Sequence, residues 1–211
     1  RPGKSLLDKT GEILRAAGLG GKIGQGDLTA VKLHFGEKGN AAFLRPVFVR
    51  KAVEEIVAAG GRPFLTDTNT LYLGGRSNAV DHIRTAITNG FAFAVADAPI
   101  VIADGLRGES AVKVPIEGKI FREVSIGAEI VNADAMVVLT HFKGHELSGF
   151  GGAIKNLGMG CAARAGKLAQ HSTGSPFVDP ANCTACGTCV AHCPSGAISV
   201  VSSAALIDPK T

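Results

Sequence analysis

The sequence predicts an α/β protein, a parallel sheet with helices on both faces over residues 1–174, followed by a small ferredoxin-like module over 175–211 that is cut short. Three observations predict it. Short apolar runs alternate with helical patterns through most of the chain. The 28 glycines suit tight strand-to-helix turns, and four of the five cysteines crowd together near the end.

A first helix is expected near Ser5 to Ala17, and Leu28 to Leu33 reads as a buried strand. From Pro46 to Ala59, the residues Val49, Ala52, Val53, Ile56 and Val57 recur at the three-and-four spacing of one helix face. Pro46 starts that helix and Gly60 stops it. Further strands are expected at Phe64 to Thr66, Ile100 to Ala103 and Met136 to Thr140, with helices near Asn78 to Asn89 and Ile126 to Asn132. Apolar runs without alternation are those of parallel strands buried on both faces. Ser, Gly and Pro between Gly174 and Asp179 mark a boundary before the cysteine-rich segment.

Composition narrows the function. At 45% hydrophobic and 19% charged, 211 residues can bury a core and are not a disordered chain. The absence of a run of eighteen apolar residues implies no membrane span. A net charge of +4 without a basic stripe or stacked aromatics gives no sign of a nucleic-acid partner. Cysteines clustered in this way suit metal binding in a reducing compartment, so a cytoplasmic protein is expected. The chain opens on Arg1, and cut ends are expected.

The segment Cys183-Thr-Ala-Cys186-Gly-Thr-Cys189-Val-Ala-His-Cys193-Pro194 has the C-x2-C-x2-C-x3-C-P spacing of bacterial ferredoxins. Three thiolates two residues apart on one curling loop can reach three irons of a cubane. Zinc sites tend instead to use two separated pairs. A 4Fe-4S cluster is therefore expected on Cys183, Cys186 and Cys189, with Cys193 as fourth ligand of this cluster or of a neighbouring one. Ile207-Asp208-Pro209 repeats Val178-Asp179-Pro180 after 29 residues, and by that count the next cysteine would follow directly on the last residue. A second motif and a second cluster are expected in the complete protein. Cys161 stands apart as a small buried hydrophobe.

Ligands of open parallel sheets bind outside the carboxyl ends of the strands. After the four expected strands come His34 and Glu37, then Asp67, then Asp104, then His141, Lys143, His145 and Glu146. On one edge these groups could bind a metal, move protons or hold an acidic substrate. For Asp67 and Asp104, helix capping or turn formation fits as well. The following Gly149-Phe-Gly151-Gly152-Ala-Ile-Lys155-Asn156 could cradle a small anion with backbone N–H groups, Lys155 and Asn156. It has neither common nucleotide fingerprint, and glycine packing without a ligand fits the same residues.

Taken together, Lys32-Leu-His34-Phe-Gly36-Glu37, Thr66-Asp67-Thr-Asn69-Thr-Leu-Tyr72, Ile102-Ala-Asp104-Gly105, His141-Phe-Lys143-Gly144-His145, the Gly149 to Asn156 loop and Gly166-Lys167-Leu-Ala-Gln170-His171 resemble the domain of unknown function 362 family. The resemblance covers nearly the whole chain. It implies an α/β domain followed by a ferredoxin-like module with two cysteine motifs, and it carries no defined reaction. The expectation is a redox protein, an oxidoreductase or part of one, with an unidentified redox partner. The alternative is a non-enzymatic electron carrier or adaptor.

Overall fold

The computed structural model describes residues 3–145, 148–172, 176–193 and 196–208. The chain forms two compact units, Arg1–Gln170 and His171–Thr211. The boundary expected at 174/175 lies outside the described residues, as do Glu146, Pro194 and Pro209.

In the first unit, α1 (Leu6–Ala16) opens on a capping box: Ser5 accepts from the Asp8 amide while the Asp8 carboxylate accepts from the Ser5 amide. A 3-10 turn, Leu19–Gly21, leads to β1 (Leu28–Lys32). Next come α2 (Pro46–Ala58), β2 (Arg62–Asp67), α3 (Ala79–Thr88), the single turn α4 (Phe93–Ala96) and β3 (Ile100–Ile102). After them follow β4 (Ala111–Pro115), β5 (Glu123–Gly127), α5 (Ala128–Val131) and β6 (Ala135–Val138). β7 (Lys143–His145), β8 (Gly149–Gly151), α6 (Ala153–Gly158) and α7 (Arg164–His171) complete the series.

The main sheet is parallel, in the order β3-β2-β1-β6. Val31 pairs with Leu65 on one side and Val137 on the other. Thr29, Ala30, Val31 and Lys32 are all buried in β1, and successive strand residues face opposite ways, so this central strand is covered on both faces. Val31, Leu33, Val49, Val53, Ile56, Leu65, Phe35 and Phe91 form the core, with Phe35 edge-on to Phe91 at 5.4 Å between ring centres.

The four expected strands and the helices near Ser5, Pro46 and Asn78 stand where the pattern places them. The helix expected from Ile126 to Asn132 does not: Glu123–Gly127 is a strand pairing antiparallel with β4, and only Ala128–Val131 is helical. Ile126 pairs with Val112, and that cross-strand contact overrides the local helical spacing. A second antiparallel pair, β7 with β8, holds the segment after β6.

The second unit contains α8 (Thr188–Ala191) and a hairpin of β9 (Ile198–Val201) with β10 (Ala204–Ile207). Its two-residue turn places Ser202 at φ 58, the left-handed geometry that tight hairpins use. Among the described residues, no helix is long and apolar enough to cross a membrane.

Candidate functional site

The carboxyl ends of β1 and β2 meet in a buried charged network. Parallel pairing sets Lys32 beside Thr66, with Asp67 next along β2. Lys32, 1% exposed, sends its ammonium to Asp67 Oδ1 at 2.9 Å and to Asn156 Oδ1 at 2.6 Å. Asp67 Oδ1 also accepts from the Thr68 amide at 2.9 Å, while Oδ2 stands 3.4 Å from Arg76 and 3.7 Å from His82 Nε2. Burial pushes the Asp67 carboxyl up, but the charges of Lys32, His82 and Arg76 outweigh it and hold the group well below the usual carboxylate range.

Arg76 bridges this carboxylate to the loop after β1. Its guanidinium donates from Nε to Glu37 Oε1 at 2.9 Å and from NH2 to Glu37 and the Tyr72 hydroxyl, and that hydroxyl donates to Glu37 at 2.7 Å. His34 accepts the Gly36 N–H on Nδ1 at 2.8 Å, which fixes its proton on Nε2. Gly36 has φ 84, and a Cβ there would stand 2.3 Å from the Phe43 ring, so the turn requires glycine. Burial and then Arg76 lower His34 to about 4. His82, buried by Phe35, falls to about 4 through burial against the pull of Asp67, and neither ring nitrogen has a hydrogen-bond partner among the described residues. Both imidazoles are neutral at neutral pH.

A second cluster lies beyond β2 and β3. Asp104, fully buried, accepts the Asn69 amide at 2.9 Å and the Asn69 side chain at 2.9 Å. Its carboxyl is raised, chiefly by burial. Thr68 Oγ1 lies 2.8 Å from the Gly160 carbonyl and 3.0 Å from that of Ala162, and accepts from Lys167. Gly160 itself is packed against the first network, since a Cβ there would meet Asn156 O at 2.3 Å and Lys32 Nζ at 2.7 Å. Cys161 is buried beside it with its thiol pushed up by burial.

The structure thus gathers four sequence-predicted residues, His34, Glu37, Asp67 and Asp104, into one region. His141 and Lys143 are exposed, and His145, at the end of β7, meets Lys155 of α6. Lys143 is close enough to His34 to add to the depression of its pKa. In the glycine loop, Gly151 is buried and Gly152 precedes the short α6, while Asn156 spends its amide on Leu139 O at 3.1 Å and Thr140 Oγ1 at 3.0 Å. The side chain of Asn156 is thereby bound within the protein. Lys32, Arg76, His82 and Lys167 carry roles that strand and loop patterns do not reveal, because their partners lie far away in sequence.

In the second unit, Ala185 (φ 53) and Gly187 (φ 73) are both left-handed and curl the cysteine loop. The Ala205 N–H lies 3.3 Å from Cys183 Sγ, and Cys186 Sγ lies 3.3 Å from Thr188 Oγ1. The Thr188 hydroxyl, then its backbone, draws the Cys186 thiol down to about 7. The cysteines form no disulfide. Donor type and spacing are those of an iron-sulfur site, but no three His, Cys, Asp or Glu groups among the described residues stand together as a formed metal cage.

No curated protein and no solved structure matches the chain. A family model described as Domain of unknown function (DUF362) matches residues 29–203, a span that takes in both the strand-end network and the cysteine loop. The chain belongs to the DUF362 family.

Proposed function

We propose that this chain is an iron-sulfur redox protein of the cytoplasm, an oxidoreductase or a component of one, in which Cys183, Cys186, Cys189 and Cys193 hold a 4Fe-4S cluster. The C-x2-C-x2-C-x3-C spacing carries this reading. Bound there, the cluster would supply one-electron transfer to a redox partner. The amide of Ala205 and the hydroxyl of Thr188 stand beside two of the sulfurs, where they would temper thiolate charge. At the strand ends, His34 presents a neutral Nε2–H, and Arg76 and Lys143 supply positive charge to orient a small anionic ligand.

The test is anaerobic reconstitution with iron and sulfide, followed by iron, sulfide and zinc analysis. About four irons per chain and a chromophore bleached by dithionite are expected, and Cys183→Ser, Cys186→Ser or Cys189→Ser should remove most of both. Binding of zinc alone, or iron retained in all three variants, would sink the reading.

A second reading, a non-enzymatic electron carrier, is favoured by the mutual satisfaction of Lys32 with Asp67 and Arg76 with Glu37, which is also how a purely structural network looks. Replacing the exposed His141 and Lys143 by Ala discriminates. A carrier keeps its electron-transfer rate, and an enzyme that uses this edge loses turnover.

A further inference from the structure

We propose that Lys167 is a reactive amine of the strand-end region, a nucleophilic and proton-exchanging residue whose ligands are small electrophilic carbonyl compounds. The inference does not depend on the iron-sulfur reading.

Its surroundings set it apart from the other buried lysine. Lys32 is neutralised by Asp67 at 2.9 Å. Lys167 is 7% exposed, yet among the described residues its Nζ donates only to neutral oxygens, Thr68 Oγ1 and the Ala162 carbonyl at 2.5 Å. None of the ion pairs among the described residues includes it. A buried ammonium without a counter-ion in contact is costly, and the neutral amine escapes that cost.

The stem is held in place from behind. Gly166 packs α7 onto β5 so closely that a Cβ there would stand 2.4 Å from Ser125 O. Thr68 adapts to either form of the lysine, because its own proton has two carbonyl acceptors, Gly160 and Ala162. The charged and titratable groups acting on Lys167 come from four places: Lys32 on β1, Asp67 on β2, Asp104 after β3 and Cys161 before α7. On α7 itself, Arg164 is turned to the carbonyls of Thr70 and Ser77. Burial dominates and draws Lys167 down to about 8, against the opposing pull of Asp67 and Asp104. A sizeable share of the side chain is then free amine near neutral pH, which is how lysine nucleophiles are activated.

With a carbonyl compound, the Nζ lone pair forms the C–N bond, and the carbonyl oxygen leaves as water with both amine protons, giving an imine. Cyanate is the smallest probe of the same nucleophile. Nζ bonds to its carbon, a proton passes to its nitrogen, and a carbamoyl group remains on the lysine.

The experiment labels the folded chain with cyanate from about pH 6 to about pH 10 and quantifies each lysine peptide by mass spectrometry. Cyanate reacts as cyanic acid with the free amine, so at fixed total cyanate a lysine's rate is level below its pKa and falls above it. Labelling of Lys167 should therefore fall above about pH 8, whereas ordinary lysines, with a pKa of about 10.4, stay level. Lys32, ion-paired, should stay unlabelled. Asp104→Asn removes a charge that favours the ammonium and should move the fall of the Lys167 rate to lower pH. A Lys167 rate that stays level with the exposed lysines up to about pH 10 overturns the proposal, and so does no carbamoylation of Lys167 at any pH in a chain that circular dichroism shows to be folded.

Discussion

Replacing Asp67 by Asn should be among the most damaging single changes available to this protein. The carboxylate is 4% exposed, and among the described residues it is the one acid in ion-pair contact with the buried Lys32 ammonium. Arg76 keeps Glu37 after the change, so the loss falls on Lys32, which retains only Asn156 and the Leu33 carbonyl. Breaking a buried pair by removing one partner costs about 3–5 kcal/mol, because the other charge is left in the interior. With a urea slope of about 3 kcal/mol per molar, the unfolding midpoint should fall by about 1–1.7 M. The double variant Asp67→Asn with Lys32→Met removes both charges and should recover part of that loss, giving a coupling of about 0.5–3 kcal/mol. A midpoint shift under about 0.3 M for Asp67→Asn, or strict additivity of the two changes, would refute the reasoning.

Acid should destabilise the fold in two stages, read as urea midpoints across pH. His34 and His82 have folded pKa values near about 4 and an unfolded value near about 6.5, so the unfolded state binds more protons between those limits. Stability then falls as pH drops through that window, by about 1.4 kcal/mol per unit for each histidine, and His82→Gln should remove one proton from the slope. Asp67 acts below it. Its depressed folded pKa gives stability that is complete above about pH 4 and lost on further acidification, and Asp67→Asn should lack that limb. Gly160→Ala should cost about 1–3 kcal/mol because its Cβ collides with Asn156 O and Lys32 Nζ, while Gly20→Ala, with nothing within 4 Å, should leave the midpoint unmoved.

Much of the sheet could be read from local pattern. The apolar runs at Leu28 and Phe64 and the one-faced helix after Pro46 are self-contained signals, and each became the expected element. The β4–β5 pair was hidden because Ile126, near the end of β5, also opens a helical pattern running to Asn132, and only the partner at Ala111–Pro115 decides. The same distinction runs through the site. His34, Glu37, Asp67 and Asp104 stand at or just beyond the carboxyl ends of parallel strands, so topology alone brings them to one edge. Lys32 and Arg76 owe their burial to Asp67, which stands between them and pairs with both, a contact that no local pattern shows. Lys167 comes from a helix nearly a hundred residues along the chain from Thr68, so its segment carried the family resemblance without revealing this partner.

The central position of β1 has a bearing on how the protein is made. This strand leaves the ribosome before its neighbours, and β2 follows soon after, but the hydrogen bond from the Leu28 amide to Asp134 spans 106 residues. At about 5–20 residues per second, one flank of β1 waits on the order of 5–20 s for its β6 partner, an interval in which its open backbone can recruit a wrong strand. Synonymous codon changes that slow elongation between residues 68 and 138 should therefore lower soluble yield more than the same changes placed after β6, and co-expressed trigger-type chaperones should restore it.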